Sequence, residues 1–256
     1  MVWLTDARPP RGMRIYAIGD VHGCLDDLKR RHEAITNDLI AHPVDDWRIV
    51  LLGDLIDRGP DSPGVLDWLD RQMATDPRML GVRGNHDTFL IDFLADPMAE
   101  SFWAWASYGG ATTLAQYGMP EAWIDPDLDT AGREALHAAL SLGVPDAHRE
   151  LVQGLPLTLV QGDYLLVHAG IRPGSAIEDQ VEGDLIWIRE PFLMSEVEHS
   201  HVIVHGHTVG PVTVRPNRIG IDTGCVWGNE LTCLVLDGAD RWLLNDEGRA
   251  SLPGPV

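Results

Sequence analysis

Met13-Arg14-Ile15-Tyr16-Ala17-Ile18-Gly19-Asp20-Val21-His22-Gly23 is the stretch on which the reading of this chain turns. It opens as a short apolar run, the length of a buried strand, and stops abruptly at Gly-Asp. Leu25, Leu28, Ile35 and Leu39 then fall at helical spacing with charges between them, so the order is strand, tight loop, amphipathic helix. The pattern returns twice. Ile49–Leu52 stops at Gly53-Asp54, and Val65, Leu66, Leu69 and Met73 space a second helix face. Met79–Val82 stops at Arg83-Gly84-Asn85-His86, before a helix around Thr88–Leu94. Consecutive units of this size predict neighbouring parallel strands with their loops gathered at one sheet edge, hence an α/β fold.

Residues from about 96 to 150 read as helical and strand-poor, punctuated by Gly109-Gly110 and Gly143. From Leu157 the pattern changes to short strands. Leu157–Gln161 and Tyr164–His168 flank Gly162-Asp163, a hairpin signal, and further strands are expected at Val202–His205, Val212–Arg215, Arg218–Asp222, Leu231–Leu236 and Arg241–Leu244. With no repeat, low-complexity tract or Pro/Ser linker, the expectation is one domain over residues 1–256, with a core of about 13–245, a helical insertion of about 96–150 and frayed ends.

Composition narrows the classes. Across 256 residues, 45% apolar and 23% charged content excludes disorder, collagen and coiled coil. Thirty-nine acids against 19 bases give a net charge of −20, which repels phosphate backbones, so no nucleic-acid partner is expected. The bland account of that charge is a solvated acidic surface; the sharper one is a site for multivalent cations. No apolar run approaches the ~18 residues that span a bilayer, and no secretory leader is recognisable at the N-terminus. Cys24, Cys225 and Cys233 are odd in number and scattered, which suits reduced thiols and a cytoplasmic location. Lys29 is the sole lysine, so nearly every base is an arginine, able to grip oxyanions with a two-pronged fork.

Just past the expected strands stand Gly19-Asp20-Val21-His22-Gly23, Gly53-Asp54-Leu55-Ile56-Asp57-Arg58-Gly59, Arg83-Gly84-Asn85-His86-Asp87, His168-Ala169-Gly170 and His205-Gly206-His207-Thr208. Carboxylate, imidazole and amide oxygen are ligands for Mn²⁺, Fe or Zn²⁺, and strand C-terminal edges are where open α/β sheets place their sites. A lone Gly-Asp is usually a turn and a lone His a packed or surface residue. Five such fragments, each at a strand end, point jointly to a site.

These motifs, in this order, resemble the phosphoprotein phosphatase family of calcineurin-like metallophosphoesterases, and within it the bacterial and phage serine/threonine protein phosphatases. The likeness runs from about residue 14 to 236 and takes in Ser107-Tyr108-Gly109-Gly110, Leu185-Ile186-Trp187-Ile188-Arg189-Glu190 and Ile221-Asp222-Thr223-Gly224. It implies a four-layer αββα sandwich and two divalent ions, Mn²⁺ in the first place and Fe or Zn²⁺ otherwise. By the resemblance, Asp20 and His22 hold one ion, Asp54 bridges both, and Asn85, His168 and His207 complete the second. Arg58 and Arg189 bind the phosphoryl oxygens beside Asn85 and His86. A hydroxide shared by the two metals attacks phosphorus, and His86 protonates the leaving alkoxide with Asp57 orienting its ring.

Other residues carry weaker expectations. His205 stands beside a ligand motif as an outer-sphere candidate, and Arg83 is either a helper or a salt-bridge partner. Asp222 buttresses a ligand loop, and Cys24 lacks the partners of a nucleophile. Trp103, Trp105 and Tyr108 line a substrate groove or simply pack helices. The implied function is metal-dependent phosphomonoester hydrolysis, on phosphoserine and phosphothreonine proteins or on phosphotyrosine, with a phosphoprotein or small phosphorylated molecule as partner and no membrane. The alternative is a symmetrical dinucleoside tetraphosphate hydrolase, a subfamily that typically carries a small apolar residue where this chain has Asp57. A catalytically silent metal-binding interaction module is the reading from a different class; it predicts a lost ligand or clamp, and none is missing.

Overall fold

The parallel strands expected from the sequence are neighbours: β1 (Met13–Ile18) pairs with β2 (Asp46–Leu51), and β2 with β3 (Met79–Gly81), all parallel. The structure is a computed structural model that describes residues 2–124 and 128–254. Residues 125–127 of the expected insertion, and residues 1, 255 and 256 of the expected 1–256 domain, lie outside the described residues. A second sheet follows, built from β4 (Thr158–Gln161), β5 (Tyr164–Val167), β6 (Val202–His205), β7 (Thr213–Arg215) and β8 (Arg218–Gly220), in the order β4-β5-β6-β8-β7. The Gly162-Asp163 turn makes β4 and β5 the expected antiparallel hairpin. The chain then returns to the first sheet with β9 (Cys233–Asp237), β10 (Asp240–Asn245) and β11 (Gly248–Ser251), giving β11-β10-β9-β1-β2-β3. The expectation of a frayed end is therefore corrected at Gly248–Ser251, which pairs along β10 as an edge strand.

Alternation along β1 sets the layering. Tyr16 and Ile18 face an apolar cluster that includes Leu28 and Ile35 of α1 (Leu25–Ala41) and Val65, Leu66 and Leu69 of α2 (Ser62–Thr75). Ile15 and Ala17 face the opposite way, onto Tyr164, Leu166, Val202 and Val204 of the second sheet. The other face of that sheet, Leu165, Val167 and Ile203, is covered by Leu185, Ile186, Ile188 and Phe192 around a short helix, Glu182–Trp187. Helix, sheet, sheet, helix is the four-layer sandwich implied by the resemblance. Between β3 and β4 lie α3 (Asn85–Ala95), α4 (Phe102–Trp105), α5 (Ala111–Gln116), α6 (Thr130–Gly143) and α7 (Asp146–Gly154), with Glu182–Trp187 following as α8. Among the described residues, no helix is long and apolar enough to cross a membrane.

Candidate active site

The C-terminal tips of β1, β2 and β3 in one sheet, and of β5 and β6 in the other, converge where the sheets meet. Two close approaches need glycine. A Cβ on Gly84 would collide with the Asp54 carboxylate, and one on Gly206 with that of Asp20, so glycine lets loops from different strands close on each other's acids. The backbone marks the place independently. Among the described residues, the non-glycine residues in the left-handed region are His22, Asp54, Asp57, Arg58 and His207, with φ between 44° and 76°. All five are residues singled out from the sequence.

Asp54 is the hub. It is buried, with Oδ2 at 3.5 Å from His22 Nε2 and Oδ1 at 3.3 Å from His168 Nε2. Two ligand-type trios share it, Asp54–His168–His207 and His22–Asp54–His86, and within each the donor atoms lie no more than 4.8 Å apart. His22 Nδ1 donates to the Ile56 carbonyl at 2.8 Å and His168 Nδ1 to the Leu52 carbonyl at 2.7 Å, so in both rings the backbone turns Nε2 inward. His168 Nε2 also meets Asn85 Oδ1 at 2.9 Å. Asp20 accepts the His207 backbone N–H at 3.1 Å, and His207 Nε2 is buried with no hydrogen-bond partner among the described residues.

The electrostatics suit a cation. Burial, then the charges of Asp222 and Asp54, push Asp20 well above the ordinary carboxylate range. Burial pushes His22 down to about 3 and His207 to about 2, leaving neutral rings that can ligate. For His168 burial also opposes charge, but Asp54 and Asp20 override it and raise the ring to about 10. Crowded buried acids, inward-turned imidazoles and an orphaned Nε2 fit divalent ions at this point.

Above the acids lies a cleft of about 310 Å³ walled by Arg58, Asn85, His86, Tyr108, Trp187 and Arg189. Arg58 donates to His22 Nε2 at 2.6 Å and to His86 Nε2 at 2.8 Å, and its own Nε donates to the Tyr108 carbonyl at 3.0 Å. His86 Nδ1 donates to Asp57 Oδ2 at 2.6 Å. A larger hollow of about 430 Å³ near Trp3, Met194 and Arg215 contains none of these groups.

The other residues singled out find plainer places. Arg83 pairs with Glu182 at 2.8 Å. His205 is buried edge-on to Phe192, its Nδ1 donating to the Gly206 carbonyl at 3.1 Å. Asp222 accepts the Gly224 N–H, and its own carbonyl accepts from Gly210 beyond His207, which ties those loops together. Cys24 is buried beside Cys225, its thiol towards the His22 carbonyl. The aromatics divide: Tyr108 walls the cleft, Trp103 packs on Phe102, and Trp105 is buried with its N–H on Asp57. Sequence reasoning missed Thr113, which donates to Asp57, and left Asp87 without a role. Asp87 binds the backbone N–H groups of Leu55 and Gly84 at 2.9 Å each and so staples two site loops. Its acid position inside Gly-Asn-His-Asp was the available signal; Thr113 offered none.

The chain is similar to known proteins. A family model described as calcineurin-like phosphoesterase matches residues 13–244. The chain is 28% identical to an asymmetrical bis(5'-nucleosyl)-tetraphosphatase of Oceanobacillus iheyensis, over 86% of this chain and 87% of that protein. It is 31% identical to serine/threonine-protein phosphatase 1 of Salmonella typhimurium, over 85% of this chain and 89% of that one. The fold superposes, with a TM-score of 0.64 and 20% identity over 96% of this chain and 97% of the other, on the crystal structure of a protein provisionally described as a diadenosine tetraphosphatase.

Proposed function

The chain belongs to the calcineurin-like phosphoesterase family, and from that premise we propose that it is a metal-dependent phosphatase acting on phosphoserine and phosphothreonine side chains. The observation that carries this reading is the Asp57–His86 pair, 2.6 Å apart under the arginine-walled cleft. Asp20 and His22 would hold one divalent ion, Asn85, His168 and His207 the other, and Asp54 both; Mn²⁺ suits this mixed oxygen and imidazole set, as do Fe and Zn²⁺. When bound, such ions supply Lewis acidity and positive charge at the phosphoryl group.

The chain's own groups do the rest. Arg58 stands over His22 and His86, from where its fork would bind phosphoryl oxygens, and Arg189 lines the same cleft and would join it. Asn85 Oδ1 and the buried imidazoles keep the floor polar and ordered. Asp57 occupies His86 Nδ1, so Nε2, which accepts from Arg58 here, is the nitrogen that faces the cleft and would carry a proton to the leaving oxygen once the Arg58 fork turns to the phosphoryl group. That proton matters most for an alkoxide, a poor leaving group, where a positioned acid contributes ~10²–10⁴ in rate. A nucleotide leaves on a stabilised phosphate oxygen and needs far less help. An intact acid pair therefore favours monoesters of alcohols.

Hydrolysis of dinucleoside tetraphosphates is the second reading. It draws on the likeness to the Oceanobacillus iheyensis protein and on Trp227, 65% exposed with the Arg58 guanidinium 6.0 Å from its ring. Such a face stacks a nucleobase. Metal-stripped protein reconstituted with Mn²⁺ and assayed on phosphoserine, phosphothreonine and phosphotyrosine peptides beside diadenosine tetraphosphate separates the readings. A large preference in kcat/KM for the dinucleotide would replace the first with the second.

A further inference from the structure

We propose that Trp105 and Thr113, both from the helical segment that follows α3, are positioning residues that hold His86 through Asp57; the proposal rests on the reading of His86 as the proton donor. Asp57 is fully buried and in the left-handed region, φ 76°. No arginine or lysine pairs with it among the described residues. Its oxygens are instead filled by neutral donors with fixed directions. Trp105 Nε1 donates to Oδ2 at 2.8 Å, the oxygen that accepts His86 Nδ1 at 2.6 Å, and Thr113 Oγ1 donates to Oδ1 at 2.6 Å. Thr113 Oγ1 also accepts the Asp57 backbone N–H at 3.0 Å, as does Ser62 Oγ, and the two hydroxyls are 3.1 Å apart. The Thr113 proton is spent on Asp57, so Ser62 donates to Thr113 and every polar atom in the group is satisfied.

Directed donors on a carboxylate fix which lone pair is left for the imidazole, and so which way the ring turns. The donors are themselves locked. Trp105 is fully buried against Phe93 and Phe102, and a Cβ on Gly110 would collide with its indole, so the turn crosses the ring only because glycine stands there. That turn, Ala106–Gly110, is a kink between two helices, with Gly109 at φ 118°. It also supplies the Gly109 and Tyr108 carbonyls that bind Arg58 N and Nε at 3.2 and 3.0 Å. One turn thus grips the acid's carboxylate and the neighbouring arginine together.

The test is a leaving-group series on the Mn²⁺-loaded protein, running from nitrophenyl phosphate, which needs no acid, through phenyl to alkyl phosphates. His86→Asn sets the pattern expected of a lost acid: a defect that deepens as the leaving group worsens. Trp105→Phe and Thr113→Val should reproduce that pattern in part, lowering kcat on alkyl phosphate about tenfold, a fraction of the acid's own ~10²–10⁴, with KM and nitrophenyl phosphate turnover nearly unchanged. Thr113→Ser, which keeps the hydroxyl, should restore wild-type behaviour. In the Zn²⁺-loaded protein, where no paramagnetic ion broadens it, the His86 Nδ1–H proton resonance should move in Thr113→Val and return in Thr113→Ser, a readout independent of turnover. Equal losses across the series, or a Thr113→Ser variant as poor as Thr113→Val, would overturn the positioning role. A flat series in His86→Asn would instead overturn the acid reading beneath it.

Discussion

Stripping the metal and returning Mn²⁺ at a series of pH values should give an affinity that climbs about tenfold per pH unit between about pH 6 and 9. The cause is His168. Burial disfavours its charge, yet the Asp54 carboxylate 3.3 Å away, with Asp20 nearby, raises the ring to about 10. A ligand ring must be neutral at the nitrogen it offers. At pH 7 the ring lies about three pH units below its midpoint, so freeing it costs about 4 kcal/mol. Isothermal titration calorimetry in two buffers of different ionisation enthalpy measures both the affinity and the protons released, which should be at least about one per protein. Asp54→Asn is the control: without that charge burial governs His168 and proton release fades, and on the proposed reading both ions would lose their shared ligand. The effect on folding has the opposite sign. A pKa raised from 6.5 to about 10 stabilises the metal-free fold fully below 6.5, and that contribution is lost as pH rises towards 10, so the metal-free Tm should fall across this window. An affinity independent of pH, with no proton released at neutrality, would refute the assignment of His168 to the ion.

Trp227→Ala should raise KM for diadenosine tetraphosphate about tenfold, for the loss of ~1–3 kcal/mol of stacking, and leave KM for a phosphoserine peptide unchanged; equal effects on both would withdraw its support from the second reading. Far from the site, Asp38 is 6% exposed and accepts from Tyr16 Oη at 2.7 Å, Arg249 at 2.6 Å and Arg14 at 3.2 Å. Asp38→Asn leaves those guanidinium groups short of a counter-charge and should cost about 3 kcal/mol, read as a lowered Tm at neutral pH. Burial opposes the Asp38 charge, but Arg249, Tyr16 and Arg14 outweigh it and hold the carboxyl below its ordinary range. Its contribution is therefore present above about pH 4 and lost as pH falls through the lower folded value, so the deficit should shrink in acid. A deficit that persists unchanged at pH 2–3 would refute the charge argument.

What could be read from the sequence followed from how local each constraint is. A strand that ends in Gly-Asp or Gly-Asn-His carries its glycine, its turn and its ligand within a few residues, so the motif survives without a structure. The hairpin at Gly162-Asp163 is legible for the same reason. The acid's partners are not. Trp105 and Thr113 lie 48 and 56 residues from Asp57, and an indole whose N–H is used is spaced like one that only fills a helix interface. Sheet order was equally hidden: β8 lies beside β6 while β7 takes the edge, a choice made by pairing rather than by any strand's own pattern. Gly248–Ser251 is short and polar, so its strand character comes only from pairing with β10, and with it comes the Arg249 grip on Asp38.

The net charge of −20 and the acids of the site are physically separate matters. Surface carboxylates are solvated and say little. Asp20, Asp54 and Asp222 are buried together: the charge of Asp54 opposes that of the other two, Asp20 is held well above the range in which carboxylates ordinarily titrate, and the imidazole of His168 holds Asp54 well below it. The same loops hold His22, Asp54, Asp57, Arg58 and His207 in left-handed conformations, each costing roughly 1–3 kcal/mol. Packing alone has no use for either expense: leucine at these positions would fill the junction of the sheets without like-charge repulsion, and glycine would turn the loops without strain. Buried acids beside the neutral His22 and His207 rings are offset only in part by the charge of His168 and would be matched by a multivalent cation, and strained loop tips are worth holding only if those particular side chains must face the cleft. The cost of burying these acids and straining these loops is the physical argument for reading the site as metal-dependent.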